Sequence, residues 1–468
     1  MIKPSILSLS ILTLSGCATV DLRDALSTTQ SQIKSVHTGD WTYIQSDEQK
    51  TAMQKRSQAL LNQSLTQSQA VELMLTHSLQ FQALLANHWK TINQSAQYGR
   101  IANPTLGLER MTTAHELEIG RILSFGILDL LSLPTRQKSA EFSISKAQLQ
   151  LSSQVLAQIN AVQIAWVEAV ESQEKLALAK QVSTSLEATA DLAERMQKSG
   201  NFNRLQSLRQ QMLHSNSLVN LASAQQRAIA TREKLVRLLG LTANESLQLK
   251  LPKQLPELPK QPISANKVRH LAPNRLDVQI AQLNYQFLLE KHGYSQVASL
   301  VDIEGTLMNN SVSNKETGES ERPRGYEIEL RVPLFDWGDF KRTALKAELK
   351  AASDSLEHTL RSASSYVRES YAQYRTAYDI AQHFKNDVLP MQELIAEENT
   401  YRYNGMFIGV FEWIAERKNQ TSVYENAIQS KANYWKSHID LNANMLGQPS
   451  NLNLEPMAAN NMTESGGH

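Results

Sequence analysis

The chain has 468 residues with 47 Lys and Arg against 46 Asp and Glu. That balance leaves no electrostatic footprint for nucleic acid, and a single cysteine excludes a disulfide framework or a Cys-rich metal site. Aromatics at 6% and charged residues at 20% suit long helices with narrow apolar seams better than a thick globular core.

Met1 opens MIKPSILSLSILTLSG, one Lys ahead of a short apolar run, Ile6 to Leu14, and then Cys17. This pattern reads as a secretory signal over residues 1–16, too short to span a bilayer. Leu14-Ser15-Gly16-Cys17 resembles the lipobox of bacterial lipoproteins. The resemblance implies a covalent lipid on Cys17, and Ala18 in place of an aspartate implies passage to the outer membrane. Residues 17–59 are read as an N-terminal anchor segment.

Beyond residue 60 the chain reads as a tandem duplication, with copies at 60–250 and 265–450. Val162, Gly200, Leu239-Gly240 and Arg136 recur as Val367, Gly405, Leu446-Gly447 and Arg342, all about 205–207 residues later. The join at 251–264 begins LPKQLPELPKQP, whose prolines deny it a helix and make it an extended linker.

Within each copy, before the long helices, lie two candidate strands, at 101–110 and 117–125, then at 298–309 and 325–335. In the last, Tyr326, Ile328, Leu330 and Val332 alternate with Glu327, Glu329 and Arg331. Period two over about ten residues is the signature of a transmembrane β-strand, although a soluble hairpin shares it. The polar stretch NSVSNKETGESERPRG between the second pair reads as an exposed loop.

Each strand pair precedes a helical hairpin, at 135–239 and 339–446. Ala140, Ile144, Ala147, Leu151 and Val155 form an apolar seam in the first stretch; Leu205, Leu208, Met212, Val219 and Ile229 form one in its partner. A helix of roughly 60 residues reaches on the order of 90 Å, about three bilayer cores. A seam this polar belongs in water. Turns at Gly200-Asn201 and Gly405 are expected to close the hairpins, with glycine supplying a positive φ. Pro390 is expected to kink or loosen the second hairpin. Residues 451–468 read as a disordered tail.

Backbone groups unpaired in hydrocarbon cost several kcal/mol each, and barrels start at about eight strands. Four strands entering a membrane therefore demand several copies of the chain.

Asn103-Pro104-Thr105-Leu106-Gly107-Leu108, Val332-Pro333-Leu334-Phe335-Asp336-Trp337-Gly338, Asn274-Arg275-Leu276-Asp277, Leu238-Leu239-Gly240 and Tyr403-Asn404-Gly405 together resemble the TolC-like outer-membrane factors, over nearly the whole mature chain. That resemblance implies a mainly α fold whose duplicated coiled-coil hairpins form a periplasmic α-barrel. Four strands per chain would contribute to a 12-stranded transmembrane β-barrel in a homotrimer. It implies a passive channel of a tripartite efflux pump or type I secretion system, served by a periplasmic adaptor and an inner-membrane transporter. The adaptor would dock on the hairpin tips, here Gly200, Asn201, Phe202, Gly405, Met406, Phe407 and Ile408.

Two departures stand out. The PLF-x-G-G corner before the first long helix is replaced by Asp129-Leu130-Leu131-Ser132-Leu133-Pro134, and the positions of the family's acidic entrance rings hold Phe411 and Ile414. Glu412 and Glu416 are the nearby candidates for lining the entrance. No phosphate loop, Ser-His-Asp spacing or i, i+4 histidine pair is present, so neither enzyme activity nor a bound metal or cofactor is expected. The competing reading is a periplasmic coiled-coil lipoprotein, structural or adaptor-like, without a pore.

Overall fold

A computed structural model of the chain describes residues 22–34, 41–268, 275–298, 302–331, 335 and 337–448. The expected signal, Cys17 and the 451–468 tail lie outside the described residues. In chain order, the first half carries α1 (Leu22–Ile33), α2 (Asp47–Leu61), α3 (Gln67–His77), α4 (Leu79–Tyr98), β1 (Thr105–Thr112), β2 (Glu116–Gly126), α5 (Ile127–Leu131), α6 (Leu133–Lys198) and α7 (Arg204–Leu239). The second carries α8 (Ala243–Gln248), α9 (Ala265–Val268), α10 (Leu276–Ala298), β3 (Asp302–Asn314), β4 (Ser320–Glu321) and β5 (Arg324–Arg331). After them come α11 (Asp339–His383), a π-helical turn (Phe384–Val388), α12 (Leu389–Asn404) and α13 (Val410–Leu446).

Two compact units result, and they cut across the duplication. One gathers Met1–Gln32, Ala86–Ser152 and Leu276–Arg361; the other gathers Ile33–Leu85, Ser153–Arg275 and Ser362–His468.

The first unit contains the sheet. Its antiparallel order is β1-β2-β3-β5, with two-residue β4 clipped onto the end of β3. Leu106, Leu123, Leu307 and Tyr326 stand in one cross-strand row, which fixes the register. β1 starts at Thr105 rather than at residue 101, directly after Pro104, which has no N–H to give a ladder. β3 continues to Asn314, well into the stretch expected to be loop. The reason is local: the Asn314 side chain accepts from the amides of Glu316 (2.9 Å) and Thr317 (3.2 Å), building a tight turn that brings the chain straight back. Beside the sheet, Ile92 of α4 packs on Ala147 of α6, and Leu288 of α10 packs with Leu345 and Ala352 of α11.

The second unit is helical. α6 buries Val155, the last seam position marked in its sequence, and beyond it Val162, Trp166 and Ala169. Trp166 is wholly enclosed, so its indole N–H needs a partner, and it donates to the Leu65 carbonyl at 2.8 Å. α11 and α13 share a core of Val367, Tyr374, Tyr378, Tyr434 and Leu441. The Pro-rich linker is extended, as its composition dictates, but it is strapped down. Tyr378 donates to the carbonyls of Pro259 (3.1 Å) and Lys260 (3.2 Å), Trp435 to that of Pro256 (3.0 Å), and Tyr371 to that of Ile263 (3.2 Å). An extended strand with no neighbouring strand leaves its carbonyls open, and the aromatic hydroxyls and indole satisfy them. Pro390, near the start of α12, lacks an amide hydrogen and would clash with the carbonyl four residues back. The preceding turn accordingly widens to π geometry over Phe384–Val388.

Candidate membrane-facing sheet and hairpin tips

The register sorts the sheet into two chemically different faces. Leu106 and Leu108 of β1, Ile119 and Leu123 of β2, Leu307 of β3, and Tyr326, Ile328 and Leu330 of β5 all fall on one face, and all are exposed. Glu109, Glu118, Glu304, Glu327 and Glu329 fall on the other, where Asn310 donates to Glu118 at 2.7 Å and the Ser124 and Thr306 hydroxyls meet at 3.0 Å. An exposed apolar face opposite a hydrogen-bonded polar one is the inverse of a soluble sheet packed on a core, and it is what a membrane strand needs. Both outer strands are open: β1 pairs only with β2, and β5 only with β3, among the described residues. At the end remote from the base, Lys315 ties the two hairpin loops together through its amide to the His115 carbonyl (2.8 Å) and its ammonium to the Thr113 carbonyl (2.7 Å). At the base, Phe335, Trp337 and Phe340 stand exposed where the chain leaves β5.

The first-copy corner differs from the second, as its sequence does. Ile127–Leu131 forms one helical turn, and Arg136 anchors it, 3.7 Å from Asp129 and donating to the Arg100 carbonyl at 3.0 Å. Gly338 takes φ +69 at the second-copy corner.

The hairpin tips lie in the helical unit. At the first, Gly200 has φ +79, and the Asn201 amide reaches back to the Met196 carbonyl at 2.9 Å, a left-handed helix end. Asn203 then caps α7, accepting from the Gln206 amide at 2.8 Å. The second tip departs from expectation. Gly405 has φ −78, and the left-handed residue is Met406 at φ +60. The Phe407 amide reaches the Arg402 carbonyl at 2.8 Å, so Met406, not Gly405, is the counterpart of Gly200. The helix simply runs one residue further before it turns.

The seven tip residues do not share one environment. Gly200, Asn201, Gly405, Met406 and Phe407 are exposed, Met406 at 92% and Phe407 at 80%. Ile408 is only 8% exposed, so it props the turn from beneath and presents no docking surface. Phe202 stacks on Phe411 with ring centroids 4.4 Å apart, linking the first tip to α13. That contact was missed in the sequence, because the two rings come from different copies and neither carries a local signal. Beside it, Tyr403 stacks on Trp413 at 5.6 Å, and the Arg417 guanidinium lies 5.1 Å over the Trp413 ring. Glu412 is exposed in the first turn of α13, where a carboxylate complements the helix dipole. Glu416 instead accepts from Gln392 at 3.3 Å, facing α12.

Charges elsewhere in this unit are interlocked. Glu171 meets Lys175 at 2.8 Å and Lys436 at 3.0 Å. Glu257 bridges Lys385 (2.5 Å) and Lys431 (2.9 Å); these hydrogen bonds hold its carboxyl down at about 2. Burial alone pushes the His438 imidazole below its ordinary value. The α7 seam, by contrast, is uncovered: Leu205, Leu208, Met212, Val219 and Ile229 are each about half or more exposed. Among the described residues no cluster of His, Cys, Asp and Glu could hold a metal ion, and no helix is long and apolar enough to cross a membrane.

A sheet with one exposed apolar face, together with duplicated helical hairpins, is the makeup of the TolC-like outer-membrane-factor fold, and solved structures match it. The outer membrane protein VceC from Vibrio cholerae superposes with a TM-score of 0.66 at 14% identity, covering 84% of this chain and 98% of that one. The Campylobacter jejuni CmeC outer membrane channel gives 0.62 at 15% identity, covering 85% and 86%. A membrane protein from Pseudomonas aeruginosa gives 0.68 at 17% identity, covering 81% and 93%. No protein-family model and no curated protein sequence matches the chain.

Proposed function

We propose that this chain is one subunit of a passive outer-membrane duct, three copies of which close a single twelve-stranded barrel. The observation that carries this reading is the open sheet. One face is apolar and exposed, while both edge strands lack a partner among the described residues. In hydrocarbon such edges cost several kcal/mol per unpaired group, and only strands lent by further copies relieve that cost. The uncovered α7 seam supports the same conclusion in the helical unit, since a coiled-coil stripe left in water is a site for another helix. The polar face of the sheet then lines the pore. The twelve-strand count follows the resemblance to channels of this fold.

In this reading the duct has no energy source of its own and works with a periplasmic adaptor and an inner-membrane transporter. The adaptor docks on Gly200, Asn201, Met406 and Phe407, and Glu412 lines the periplasmic entrance. Cys17 carries the lipid that anchors the chain to the outer membrane.

The test is assembly and conductance. Detergent-purified protein is expected to run at the mass of three chains and to produce uniform single-channel steps in planar bilayers. A monomer, or a trimer that never conducts, refutes the proposal, the latter in favour of a structural envelope lipoprotein. Cys17→Ser is expected to abolish labelling by a radioactive fatty acid in cells.

A further inference from the structure

The apolar face of the sheet does not stay apolar to its top. Counting rows upward from the base, Ile303 pairs with Leu330, then Phe125, Gly305 and Ile328 align, then Leu106, Leu123, Leu307 and Tyr326. The next row is Leu108, Arg121, Asn309 and Arg324, and the one above contains Arg110, Ile119 and Ser311. Three exposed arginines thus emerge together on the outward face, at the loop end of the apolar band. With strands about 4.8 Å apart, Arg121 and Arg324 are separated by about 10 Å, and Arg110 is one strand and one row from Arg121.

These arginines are not there to neutralise the sheet's carboxylates. Among the described strand side chains, every Glu falls on the opposite face: Glu109, Glu116 and Glu118 on β1 and β2, Glu304 on β3, Glu321 on β4, Glu327 and Glu329 on β5. Arg121 also makes one neutral contact, donating to the Ser311 hydroxyl at 3.3 Å. Arg110, Arg121 and Arg324 thus share the face that carries no strand Glu, while Arg331, at the base of β5, aligns with Asp302 in the register of the other face. The two rims of the band differ as well. Phe335, Trp337 and Phe340 are exposed at the base, as an interfacial aromatic belt is, whereas the loop rim carries guanidinium groups.

We infer that the cluster of Arg110, Arg121 and Arg324 binds the phosphate groups of the glycolipid in the outer leaflet of the membrane. The inference rests on the barrel reading above and deepens it. Guanidinium groups fit phosphate bidentately and stay charged at any working pH. At the edge of hydrocarbon their local dielectric is low, which strengthens the pairing. In a closed barrel β5 of one copy abuts β1 of the next, so the cluster recurs from copy to copy as a girdle. The belt asymmetry then matches a membrane whose outer leaflet is the more heavily phosphorylated.

The experiment titrates the detergent-purified trimer with lipid A, with dephosphorylated lipid A and with phosphatidylglycerol, reading bound lipid by native mass spectrometry. Lipid A is expected to bind best, and the triple variant Arg110→Gln/Arg121→Gln/Arg324→Gln to bind it at least about tenfold more weakly. Glu327→Gln, on the opposite face, is expected to leave binding unchanged, and Arg121→Lys to fall between wild type and the triple variant. Trimer mass and unitary conductance establish that each variant is assembled. A conducting trimer in which the triple variant binds lipid A like wild type overturns the inference and leaves the duct reading intact. So does equal wild-type affinity for the dephosphorylated lipid or for phosphatidylglycerol. Wild-type protein that never conducts refutes the duct reading itself, and this inference with it.

Discussion

Met406 sits at φ +60, a conformation in which an L side chain crowds its own carbonyl at a cost of about 1–2 kcal/mol. Gly200 occupies the equivalent position of the other tip at no such cost. The two tips therefore invite opposite substitutions. Met406→Gly is expected to raise the melting temperature, by relief of up to roughly 1 kcal/mol. Gly200→Ala, which has open space around a new Cβ but the wrong φ, is expected to lower stability by about 1–2 kcal/mol. Gly405→Ala would bring a Cβ to 2.8 Å from the Phe407 ring; because that ring is exposed and free to swing, the change is expected to be nearly silent. Differential scanning calorimetry of the three variants checks all three signs, and a melting point lowered by Met406→Gly would refute the assignment of the left-handed residue. Retention of Met406 against this cost fits an exposed thioether kept for contact, the role proposed for it with Phe407. Glu412→Ala belongs to the same scale. If Glu412 lines the entrance, its loss changes the leak conductance of the closed duct, and an unchanged conductance removes it from that role.

At the scale of elements, the linker is the clearest case of composition fixing one property and packing another. Its prolines dictate an extended chain, and Tyr378, Trp435 and Tyr371 decide where that chain lies. Tyr378→Phe leaves the Pro259 and Lys260 carbonyls without this donor and is expected to cost about 1–3 kcal/mol, with faster amide exchange across residues 251–264 as its local signature. The Glu257 bridge to Lys385 and Lys431 adds a pH-dependent element to the strap. Its carboxyl titrates at about 2 in the folded chain against an ordinary 4.5, so the folded state binds fewer protons than the unfolded one between those values. The bridge therefore contributes in full above about 4.5, and its contribution disappears as the pH falls through about 2. Glu257→Gln is expected to melt slightly below wild type at pH 7, as an exposed pair should. The gap is expected to close as the pH is lowered from 4.5 towards 2; a gap independent of pH would refute the assignment. The π turn before Pro390 makes a parallel point. A proline in the sequence marks where a helix loosens, but that it widens here, to a π turn over Phe384–Val388, is visible only in the structure.

For the whole molecule, the isolated chain is unfinished in two places at once: the sheet edges and the α7 seam. Both deficits are expected to be met in one step, so that association and barrel closure stand or fall together. Met212→Glu/Val219→Glu places charges in the proposed helix interface without touching a strand. It is expected to abolish both the trimer on gels and the conductance steps, while far-ultraviolet circular dichroism retains the helical signal. A double variant that still trimerises would place the interface elsewhere.

Much was written plainly in the residues. Period-two alternation around Tyr326 to Leu330 and the glycine- and proline-free stretches of 135–199 and 201–239 each rest on interactions between near neighbours in the chain, so helix, strand and hairpin follow from local spacing alone. Because the signal depends only on short range, the α7 seam could be recognised before any partner for it was visible. Other features depended on residues far apart in the chain. The Phe202–Phe411 stack, the burial of Ile408, the left-handed turn at Met406 and the strap over the linker all depend on which distant surfaces meet. So does the gathering of Arg110, Arg121 and Arg324 on the face without Glu, which emerges only when the register aligns Leu108, Arg121, Asn309 and Arg324 across four strands. Spacing along a chain sets which face of an element is apolar; only the packed structure sets what stands opposite it.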